Sequence, residues 1–311
     1  MKVCFVGLGS IGSRHLRNID SIFKDKKDEL IVHAYRESNR VLNNGIIDTI
    51  NKQIYNIEDL DNDYDVVFIT NPTSMHYESI KKFASRTKNM FIEKPIFDDS
   101  KYDLHEVKSL LNKNGVFYVA APMRYTDVLI NMKSIIENKK VYSVRSICSS
   151  YLPDWRHNID YRENYSAHKE LGGGVSIDCI HELDYLFYLF GFPEKTYNER
   201  GTFSHLEINS DDLSVYIFKY RDKIIELHLD YFGRSKERIL EIYTREGMYK
   251  GDFYRNQITY PNGDILKFNS NDNDEYVREL NTFFDMIEGR VINENSIEIA
   301  INVLKNAEGG I

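Results

Sequence analysis

The sequence predicts an α/β chain in two parts: a doubly wound parallel sheet, followed by an α+β domain with an open, mostly antiparallel sheet. In the first third, short runs rich in β-branched and aromatic residues alternate with amphipathic stretches, which is typical of βαβ units. Beyond Pro122, strand-like runs follow one another with tight turns, which favours antiparallel pairing. A G-x-G-x-x-G sequence from Gly7 to Gly12 joins the first strand to the first helix. A chain of 311 residues is long enough for two domains, which we predict at residues 1–122 and 123–311.

The elements of the first domain follow from the alternation of apolar runs and amphipathic stretches. Each strand-like run is four or five residues long and mostly apolar, as expected of strands covered on both faces. The predicted strands are Val3–Val6, Ile31–Tyr35, Val66–Thr70, Met90–Glu93 and Val116–Ala120. The predicted helices are Ser10–Phe23, Met75–Ser85 and Lys101–Asn114.

The second domain is predicted from consecutive strands joined by short turns. The strands are Val141–Ser150, Leu213–Tyr220, Ile224–Asp230, Arg238–Thr244 and Gly247–Phe253. Arg221-Asp222 and Asn262-Gly263 have the composition of hairpin turns. Helices that cover one face of this sheet are predicted at Gly174–Phe190, Asn273–Glu288 and Ser296–Ala307. The other face of such an open sheet favours a homodimer or homotetramer.

The composition excludes several classes of protein. Hydrophobic residues make up 42% of the chain and charged residues 28%, a balance typical of a globular protein with a sizeable core. The net charge of −8 argues against nucleic acid as a partner. No apolar stretch approaches the ~20 residues of a membrane span, and the opening residues are typical of a strand rather than a signal peptide. Cys4, Cys148 and Cys179 form no CxxC pair, which predicts a reducing, cytoplasmic location and no metal site.

The glycine sequence is predicted to bind the pyrophosphate of a dinucleotide. Gly7 permits the tight turn, Gly9 lets the backbone approach the pyrophosphate, and Gly12 lets the helix pack closely on the strand. The helix that begins at Ser10 and Ile11 directs free N–H groups and a partial positive charge at the phosphates. The alternative is an ordinary glycine turn, but the strand, the helix and the N-terminal position together favour a Rossmann dinucleotide-binding domain.

The end of the second predicted strand distinguishes NAD from NADP. An acidic residue there binds the ribose 2′-hydroxyl of NAD, whereas an arginine accepts the 2′-phosphate of NADP. Arg36 occupies this position, with Ser38 and Arg40 as nearby donors. Glu37 is the alternative, because a shift of one residue would make it a selector for NAD. The sequence therefore favours NADP over NAD.

Two further motifs carry a family resemblance. Phe91-Ile92-Glu93-Lys94-Pro95 ends a later strand of the parallel sheet, and a glycine run at 172–174 leads into a segment that contains Asp178, His181 and Asp184. With the glycine turn and Arg14-His15, these motifs closely resemble the Gfo/Idh/MocA family of NAD(P)-dependent sugar and cyclitol oxidoreductases, over nearly the whole chain.

The resemblance implies a fold, a cofactor and a set of site residues. The fold is a Rossmann domain followed by a domain with an open antiparallel sheet, and the cofactor is NAD or NADP. The residues that the resemblance places beside the cofactor, in addition to the glycine turn, are Asn71, Thr73, His76, Glu93 and Lys94.

Three residues are predicted to be catalytic: Lys94, Asp178 and His181. Oxidation of an alcohol requires a group that exchanges the hydroxyl proton near neutral pH, and histidine has a suitable intrinsic pKa. A lysine that hydrogen-bonds the substrate oxygen stabilises the charge that develops there. Lys94 follows a parallel strand, at the carboxyl end where such sheets bind ligands. Asp178 and His181 are three residues apart, so on one helix they share a face and the carboxylate can orient the imidazole.

The spacing of this pair departs from the resemblance. The commoner family pattern is Asp-x-x-x-His, whereas this chain has Asp178-x-x-His181 and carries Ile177 at the family's aspartate position. His181 is therefore the firmer prediction of the two. A metalloprotease helix is excluded, because position 185, where the second histidine of H-E-x-x-H would stand, is Tyr185.

A polar loop after the first strand of the second domain is predicted to bind the substrate. Its aromatic rings suit stacking on a sugar or a base, and its arginines suit a carboxylate or a phosphate. The predicted substrate residues of the loop are Tyr151, Trp155, Arg156, Tyr161 and Tyr165, and Arg124, just past the domain boundary, is predicted to add another anion contact. The sequence of this loop is similar to that of family members from surface-glycan pathways. The resemblance implies an acidic or nucleotide-linked sugar as the substrate. A solvated loop or an oligomer contact is the alternative.

These observations favour an NAD(P)-dependent oxidoreductase that acts on a secondary hydroxyl or ketone of a sugar or sugar derivative. One alternative is a non-catalytic sensor that retains the fold and the cofactor pocket, which the presence of Lys94, Asp178 and His181 disfavours. Another is an enzyme that uses the nicotinamide transiently, without net redox.

Overall fold

The computed structural model describes residues 1–38, 40–156 and 159–309. Asn39, His157 and Asn158, in the predicted cofactor and substrate loops, lie outside the described residues. The strands are β1 (Lys2–Val6), β2 (Ile31–Tyr35), β3 (Lys52–Ile54), β4 (Tyr64–Ile69), β5 (Thr87–Ile92), β6 (Phe117–Val119), β7 (Val141–Tyr151), β8 (Lys195–Gly201), β9 (Leu213–Lys219), β10 (Ile224–Asp230), β11 (Phe232–Thr244), β12 (Gly247–Asp252), β13 (Gln257–Thr259) and β14 (Ile265–Lys267). The helices are α1 (Ser10–Ile22), α2 (Asn44–Ile47), α3 (His76–Ala84), α4 (Leu104–Leu110), α5 (Asp127–Ile136), α6 (Val175–Asp178), α7 (Ile180–Phe190), α8 (Asp274–Ile287) and α9 (Ile297–Ala307).

The chain divides into two compact units. The first unit comprises Met1–Ala120 and Tyr276–Ile301, and the second comprises Ala121–Glu275 and Asn302–Ile311. No helix in the described part of the chain is long and apolar enough to span a membrane.

The first unit is built on a parallel sheet in the order β3-β2-β1-β4-β5-β6. Its central strands are buried on both faces, which explains why they are almost continuously apolar. The rings of Phe5 and Phe68 stack at 4.7 Å between centroids in its core. Leu280, Phe283 and Met286 of α8 pack into the same core. The prediction that this helix covers the second sheet is therefore wrong, because its apolar face is buried in the first unit. Because the chain leaves β1 towards β2 and later returns to β4 on the other side, the carboxyl ends of β1 and β4 form the crevice where such sheets bind ligands.

The second unit is built on a sheet in the order β14-β13-β12-β11-β7-β10-β9-β8. Its neighbouring strands are antiparallel except β7 and β10, which run parallel. Along β9, Ser214, Tyr216 and Phe218 are buried and alternate with more exposed residues, so one face of the sheet is covered. The ring of Phe187 on α7 packs against Phe218 at 5.1 Å, which identifies α7 as part of that cover.

The predicted fold class is confirmed, a parallel sheet followed by an open, mostly antiparallel one. The turns at 221–222 and 262–263 do join antiparallel strands. The single helix predicted at Gly174–Phe190 is wrong, because Cys179 has φ −94° and ψ 23° and divides it into α6 and α7. The helix predicted at Lys101–Asn114 is shorter, because the Asp103 side chain accepts hydrogen bonds from two backbone N–H groups and caps α4 at Leu104.

Candidate dinucleotide and substrate sites

The glycine turn after β1 combines two closely packed glycines with an open one. Gly7 has φ +87°, and a Cβ there would lie 2.8 Å from Asn71 Cα. A Cβ on Gly12 would lie 2.6 Å from the carbonyl oxygen of Gly7 and 2.7 Å from Thr70 Oγ1. Around Gly9, by contrast, no described atom beyond the adjoining backbone comes within 4 Å of an added Cβ. The first unit therefore needs Gly7 and Gly12 for its own packing, whereas the absence of a side chain at Gly9 leaves space outside the turn.

The N-terminus of α1 opens onto this space. Gly9 is the N-cap and offers no side-chain acceptor to the first turn of α1, so the N–H groups of the first turn are available to a ligand. Ser10 is exposed and Ile11 is partly buried beside it. The chemistry of this donor set, together with the cradle at Gly9, fits the pyrophosphate of a dinucleotide.

The carboxyl end of β4 lies against the glycine turn. Thr70 donates a hydrogen bond to the carbonyl oxygen of Gly7 at 2.6 Å, and its backbone N–H donates to Val6 at 3.0 Å. Asn71 donates through Nδ2 to Ser79 Oγ at 2.8 Å. Its Oδ1 is buried and has no hydrogen-bond partner among the described residues, so an acceptor at this strand end is left for a ligand group.

Two further residues follow on this segment. Thr73, which is half-buried, begins a short 3-10 helix that leads into His76 at the start of α3. His76 Nε2 lies 3.0 Å from the carbonyl oxygen of Asn71, and Nδ1 lies 3.1 Å from that of Pro95. Burial lowers the pKa of the His76 imidazole. Because both ring nitrogens face backbone carbonyls, His76 joins the ends of β4 and β5 through its own hydrogen bonds.

Glu93 and Lys94 follow the end of β5. Glu93 Oε1 accepts a hydrogen bond from His15 Nε2 at 2.5 Å, and Oε2 accepts one from the backbone N–H of Lys94 at 3.2 Å. Burial alone would raise the pKa of the Glu93 carboxyl, but the hydrogen bond from His15 and the charge of Lys94 outweigh it, so the pKa lies below its usual value. A buried carboxylate thus ties the backbone of Lys94 to α1, the helix that begins at the glycine turn.

Arg36 follows the last residue of β2. Its guanidinium donates to Gln53 Oε1 at 2.7 Å, to the Tyr55 hydroxyl at 3.3 Å and to the carbonyl oxygen of Arg40. All these acceptors are neutral, so the positive charge of Arg36 is held in place without a carboxylate partner in the described part of the chain. Ser38, two residues on, is exposed.

In the second unit, two tyrosines hold Asp178 at the end of α6. The Tyr165 hydroxyl donates to Oδ1 at 2.9 Å and the Tyr231 hydroxyl donates to Oδ2 at 2.5 Å. Burial and the nearby Asp178 carboxylate raise the pKa of both phenols, so they remain donors. His181 lies on the first turn of α7, beyond the break at Cys179. The expectation that Asp178 and His181 share one continuous helix is therefore wrong.

Several predicted substrate residues gather around the same carboxylate. Trp155 packs edge-on against Tyr231 at 5.3 Å between ring centroids and donates through Nε1 to Ser150 Oγ at 2.9 Å. The guanidinium of Arg156 lies 5.9 Å from the ring centroid of Tyr165. Tyr165 and Trp155 remain 45% and 36% exposed, so this loop presents aromatic surface to solvent.

The remaining predicted substrate residues have other surroundings. Tyr151 ends β7 and stacks with His205, and the Tyr161 hydroxyl accepts from the backbone N–H of Glu207 at 3.2 Å. Arg124 is buried and binds Asp184 through Nε and Nη2, at 2.8 and 2.7 Å. This bidentate ion pair joins the segment before α5 to the middle of α7. Asp184 thus occupies the pair of guanidinium donors that would otherwise bind an anion in the same bidentate way.

Sequence reasoning missed Tyr231, which is fully buried and bonded to Asp178. The one sequence feature that could have indicated Tyr231 is its position directly after β10. In the structure, the backbone N–H of Leu152 donates to the Tyr231 carbonyl oxygen at 2.8 Å, which brings the end of β10 next to the end of β7. Among the described residues, no group of three or more histidine, cysteine, aspartate or glutamate side chains is arranged to hold a metal ion.

Comparison with known proteins gives the same assignment for both parts of the chain. Residues 1–121 match the family described as "Oxidoreductase family, NAD-binding Rossmann fold". Residues 129–250 match the family described as "GFO/IDH/MocA C-terminal domain".

Two curated relatives and one solved structure illustrate the similarity. The chain is 27% identical over 190 residues to the uncharacterized oxidoreductase YrbE of Bacillus subtilis, covering 60% of this chain and 52% of the relative. It is 27% identical over 142 residues to 2,7-anhydro-N-acetylneuraminate hydratase of Escherichia coli, covering 45% and 38%. The chain thus spans about half or less of the curated relatives it matches. A levoglucosan dehydrogenase in complex with NADH superimposes with a TM-score of 0.84 at 16% identity, covering 99% of this chain and 95% of that one.

Both parts of the chain match the same family, and the glycine turn, the Glu93-Lys94-Pro95 segment and the open sheet of the second unit agree with it. The solved structure shares the fold over nearly the full length. The chain belongs to the Gfo/Idh/MocA family of proteins with an NAD-binding Rossmann fold.

Proposed function

We propose that this protein is an NAD(P)-dependent oxidoreductase that transfers hydride between the nicotinamide and a secondary hydroxyl or ketone of a sugar or sugar derivative. Residues 1–122 bind the dinucleotide, and residues 123–311 bind the substrate and form oligomer contacts. The observation that carries the proposal is the open position at Gly9 in front of the uncapped N-terminus of α1. A steady-state assay with NADPH over a panel of oxidised sugars tests it, and a protein that binds no dinucleotide would contradict it.

The dinucleotide is held by three segments of the first unit. Gly7, Gly9, Ser10, Ile11 and Gly12 bind the pyrophosphate through backbone N–H groups. Asn71 Oδ1, which has no hydrogen-bond partner among the described residues, supports a contact from this segment to the nicotinamide half. Thr73 and His76 belong to the same segment. Glu93 and Lys94 complete the set, because the His15–Glu93 hydrogen bond connects them to α1.

The bound nicotinamide supplies hydride exchange with carbon, and the protein supplies proton exchange and stabilisation of charge. Lys94 hydrogen-bonds the reacting oxygen and stabilises its developing negative charge. His181 exchanges the hydroxyl proton, because its intrinsic pKa suits transfer in both directions near neutral pH. Asp178, whose carboxylate accepts hydrogen bonds from Tyr165 and Tyr231, is the third proposed catalytic residue.

Replacement of Lys94 by alanine is expected to lower kcat by about a hundredfold, because it removes a preorganised charge at the reacting oxygen. Lys101→Ala is the matched control, since the Lys101 side chain is 88% exposed and pairs only with Asp99 in the described part of the chain. Initial rates at saturating NADPH measure the effect. Equal rates for Lys94→Ala and Lys101→Ala would remove Lys94 from the mechanism.

The proposed cofactor is NADP rather than NAD. Support comes from Arg36, whose charge follows β2 and is held by neutral acceptors, so a 2′-phosphate would find an oriented guanidinium. Ser38 adds a hydroxyl donor on the same loop. Glu37 is the residue that would select NAD instead. Its carboxylate lies 4.0 Å from Lys82 Nζ and is therefore paired with a lysine rather than left for a ribose hydroxyl.

Replacement of Arg36 by alanine is expected to weaken NADPH binding by roughly ten- to a hundredfold, because a charged bidentate contact is worth about 1.5–3 kcal/mol. NADH affinity is expected to change little, since NADH carries no 2′-phosphate. Fluorescence titration of both nucleotides measures the two affinities. Glu37→Gln is the companion variant: if it weakens NADH while Arg36→Ala leaves NADPH unchanged, the selector is Glu37 and the cofactor is NAD.

Among sugars, the proposed substrate is an acidic or nucleotide-linked one, because the loop around Asp178 presents an arginine beside exposed aromatic rings.

The proposed assembly is a homodimer or homotetramer formed through the open face of the second sheet, where Val215, Ile217 and His228 are only partly covered. Cys4, Cys148 and Cys179 are free thiols, which supports a cytoplasmic location.

A second candidate is an enzyme that oxidises and re-reduces its substrate within one turnover. It is favoured by the similarity to proteins named 2,7-anhydro-N-acetylneuraminate hydratase from two bacteria. Such an enzyme would copurify with nucleotide and convert its substrate without net change in NADPH absorbance. Product analysis of the sugar alongside the absorbance assay distinguishes the two functions.

A further inference from the structure

We infer that Asp211 is a positioning residue, which holds the proposed catalytic carboxylate of Asp178 against the hydroxyl of Tyr231. The inference rests on the proposed function and deepens it, because Asp178 is one of the three residues proposed there to be catalytic. It also gives a role to the glycine run at 172–174, which the proposed function leaves unused. Asp211 lies just before β9, more than 30 residues after Asp178 in the chain.

Asp211 binds the first turn of α6 through two acceptors. Its carbonyl oxygen accepts a hydrogen bond from the backbone N–H of Val175 at 2.9 Å, and its Oδ2 accepts one from the backbone N–H of Ser176 at 2.9 Å. Gly174, the N-cap of α6, has no side chain that could accept these bonds. Asp211 therefore supplies the cap that the segment itself lacks. Because α6 has only four residues, its conformation depends on such contacts from outside.

The last glycine of the run makes room for the Asp211 carboxylate. Gly174 has φ +134°, a conformation that other residues rarely adopt, and a Cβ there would overlap Asp211 Oδ1. A side chain at Gly174 would therefore push the carboxylate away from α6. This close approach is the physical reason for a glycine directly before the helix.

The residue next to Asp211 holds the other side of Asp178. The backbone N–H of Tyr231 donates to the carbonyl oxygen of Asp212 at 2.9 Å, and the Tyr231 hydroxyl donates to Asp178 Oδ2 at 2.5 Å. Asp212 is fully buried, and its carboxylate accepts hydrogen bonds from two backbone N–H groups. Residues 211 and 212 thus bind both the helix that carries Asp178 and the tyrosine that binds its carboxylate.

These contacts close a ring around Asp178. The ring runs from the Asp178 carboxylate to Tyr231, through Asp212 to Asp211, and through α6 back to Asp178, which is the last residue of that helix. A shift of so short a helix moves the carboxylate away from the Tyr231 hydroxyl. A displacement of about 1 Å in a group that takes part in the reaction can cost roughly a hundredfold in rate. Asp211 therefore acts on the reaction through Asp178.

Hydrogen exchange measured by mass spectrometry tests the contact with α6. Asp211→Ala is expected to speed exchange in the segment 174–179 by about tenfold, because loss of the side-chain acceptor lets the first turn open more often. Asp211→Asn is expected to exchange like the wild type, since its amide oxygen accepts the same hydrogen bond. Equal exchange in the wild type and Asp211→Ala would overturn the inference, whether or not a substrate has been found.

Enzyme kinetics test the consequence for Asp178. Asp211→Ala is expected to lower kcat by about ten- to a hundredfold with NADPH affinity unchanged, and Asp211→Asn is expected to retain most of the rate. In an Asp178→Asn background, Asp211→Ala is expected to lower kcat no further, because two residues that act through one carboxylate are not additive. Additive losses would make the role of Asp211 merely structural and overturn the inference, as would wild-type kcat in Asp178→Asn itself.

The matched control is Asp103→Ala, which removes another aspartate that caps a helix. Asp103 accepts hydrogen bonds from the backbone N–H groups of His105 and Glu106, at 2.8 and 3.1 Å, in the first unit. Its loss is expected to lower the melting temperature but to leave kcat and exchange in the segment 174–179 unchanged. An equal fall of kcat in Asp103→Ala would reduce the effect to general stability and overturn the inference.

Two further measurements separate this inference from the proposed function. Circular dichroism verifies that each variant is folded, and NADPH affinity is measured on all of them. A wild-type protein that neither binds NADPH nor converts any sugar would overturn the proposed function, while hydrogen exchange would still decide whether Asp211 holds α6. Wild-type turnover together with unchanged exchange in Asp211→Ala would overturn only the inference.

Discussion

His181→Ala is expected to lower kcat by about a hundred- to ten-thousandfold, with dinucleotide affinity nearly unchanged. The reason is that hydride transfer to or from an alcohol carbon needs a proton exchange at the oxygen, and no other side chain has an intrinsic pKa as close to neutral. His181 lies on the first turn of α7 and is partly exposed, so alanine there removes the imidazole without opening the core. Single-turnover and steady-state rates with the substrate found in the sugar panel measure the effect.

The control for this variant is His105→Ala, which removes an imidazole from α4 in the first unit. The pH profile of kcat is expected to lose an inflection near neutrality in His181→Ala and to keep it in His105→Ala. If Asp178→Asn loses that inflection while His181→Ala retains it, the proton-exchanging group is not His181. Wild-type turnover by His181→Ala would end its assignment as the catalytic acid–base.

Gly9→Val is expected to abolish dinucleotide binding in a protein that remains folded. No described atom beyond the adjoining backbone lies within 4 Å of an added Cβ at Gly9, and its φ of −74° is accessible to any residue. The side chain therefore costs the apo fold little, yet it occupies the space that a pyrophosphate needs to reach the N-terminus of α1. Fluorescence titration with NADPH measures the loss, and thermal unfolding verifies the fold.

Two other glycines make this test specific. Gly45→Val adds the same side chain in α2, where the nearest atom to an added Cβ is 3.7 Å away, and it is expected to leave NADPH affinity unchanged. Gly12→Val is expected to lower the melting temperature as well as the affinity, because its Cβ meets the Gly7 carbonyl at 2.6 Å. NADPH binding by a folded Gly9→Val protein at wild-type affinity would refute the pyrophosphate role of the turn.

Local sequence was sufficient wherever a pattern of neighbouring residues dictates the conformation. The apolar runs of β1 and β2 are buried on both faces, and a parallel sheet is the environment that selects such runs. The glycine turn was identifiable because two of its demands arise within the turn itself: a positive φ at Gly7 and the close approach of Gly12 to the Gly7 carbonyl oxygen. The hairpin at residues 221–222 was likewise predicted from its turn composition and confirmed.

The segment around the candidate catalytic residues shows where local sequence patterns no longer predict the structure. Residues 174–190 are helical by composition, yet Cys179 interrupts the helix, with its Sγ 3.8 Å from that of Cys148 on β7. Asp178 consequently ends α6, and both carboxylate oxygens bind tyrosines. The spacing along an assumed continuous helix did not predict the surroundings of this aspartate, because its partners come from the polar loop (Tyr165) and from the connection after β10 (Tyr231) rather than from its own segment.

The sequence by itself determined the order of sheet types, the dinucleotide-binding turn and the family. Only the tertiary structure decided which polar groups are already satisfied and which remain for a ligand. Arg124 was predicted to contact substrate, but it binds Asp184, 60 residues away, whereas Tyr231 reaches Asp178 across 53 residues. The physical reason is that backbone conformation follows from the few residues around each position, while a buried charge or hydroxyl takes its partner from whichever strand or helix the fold packs against it.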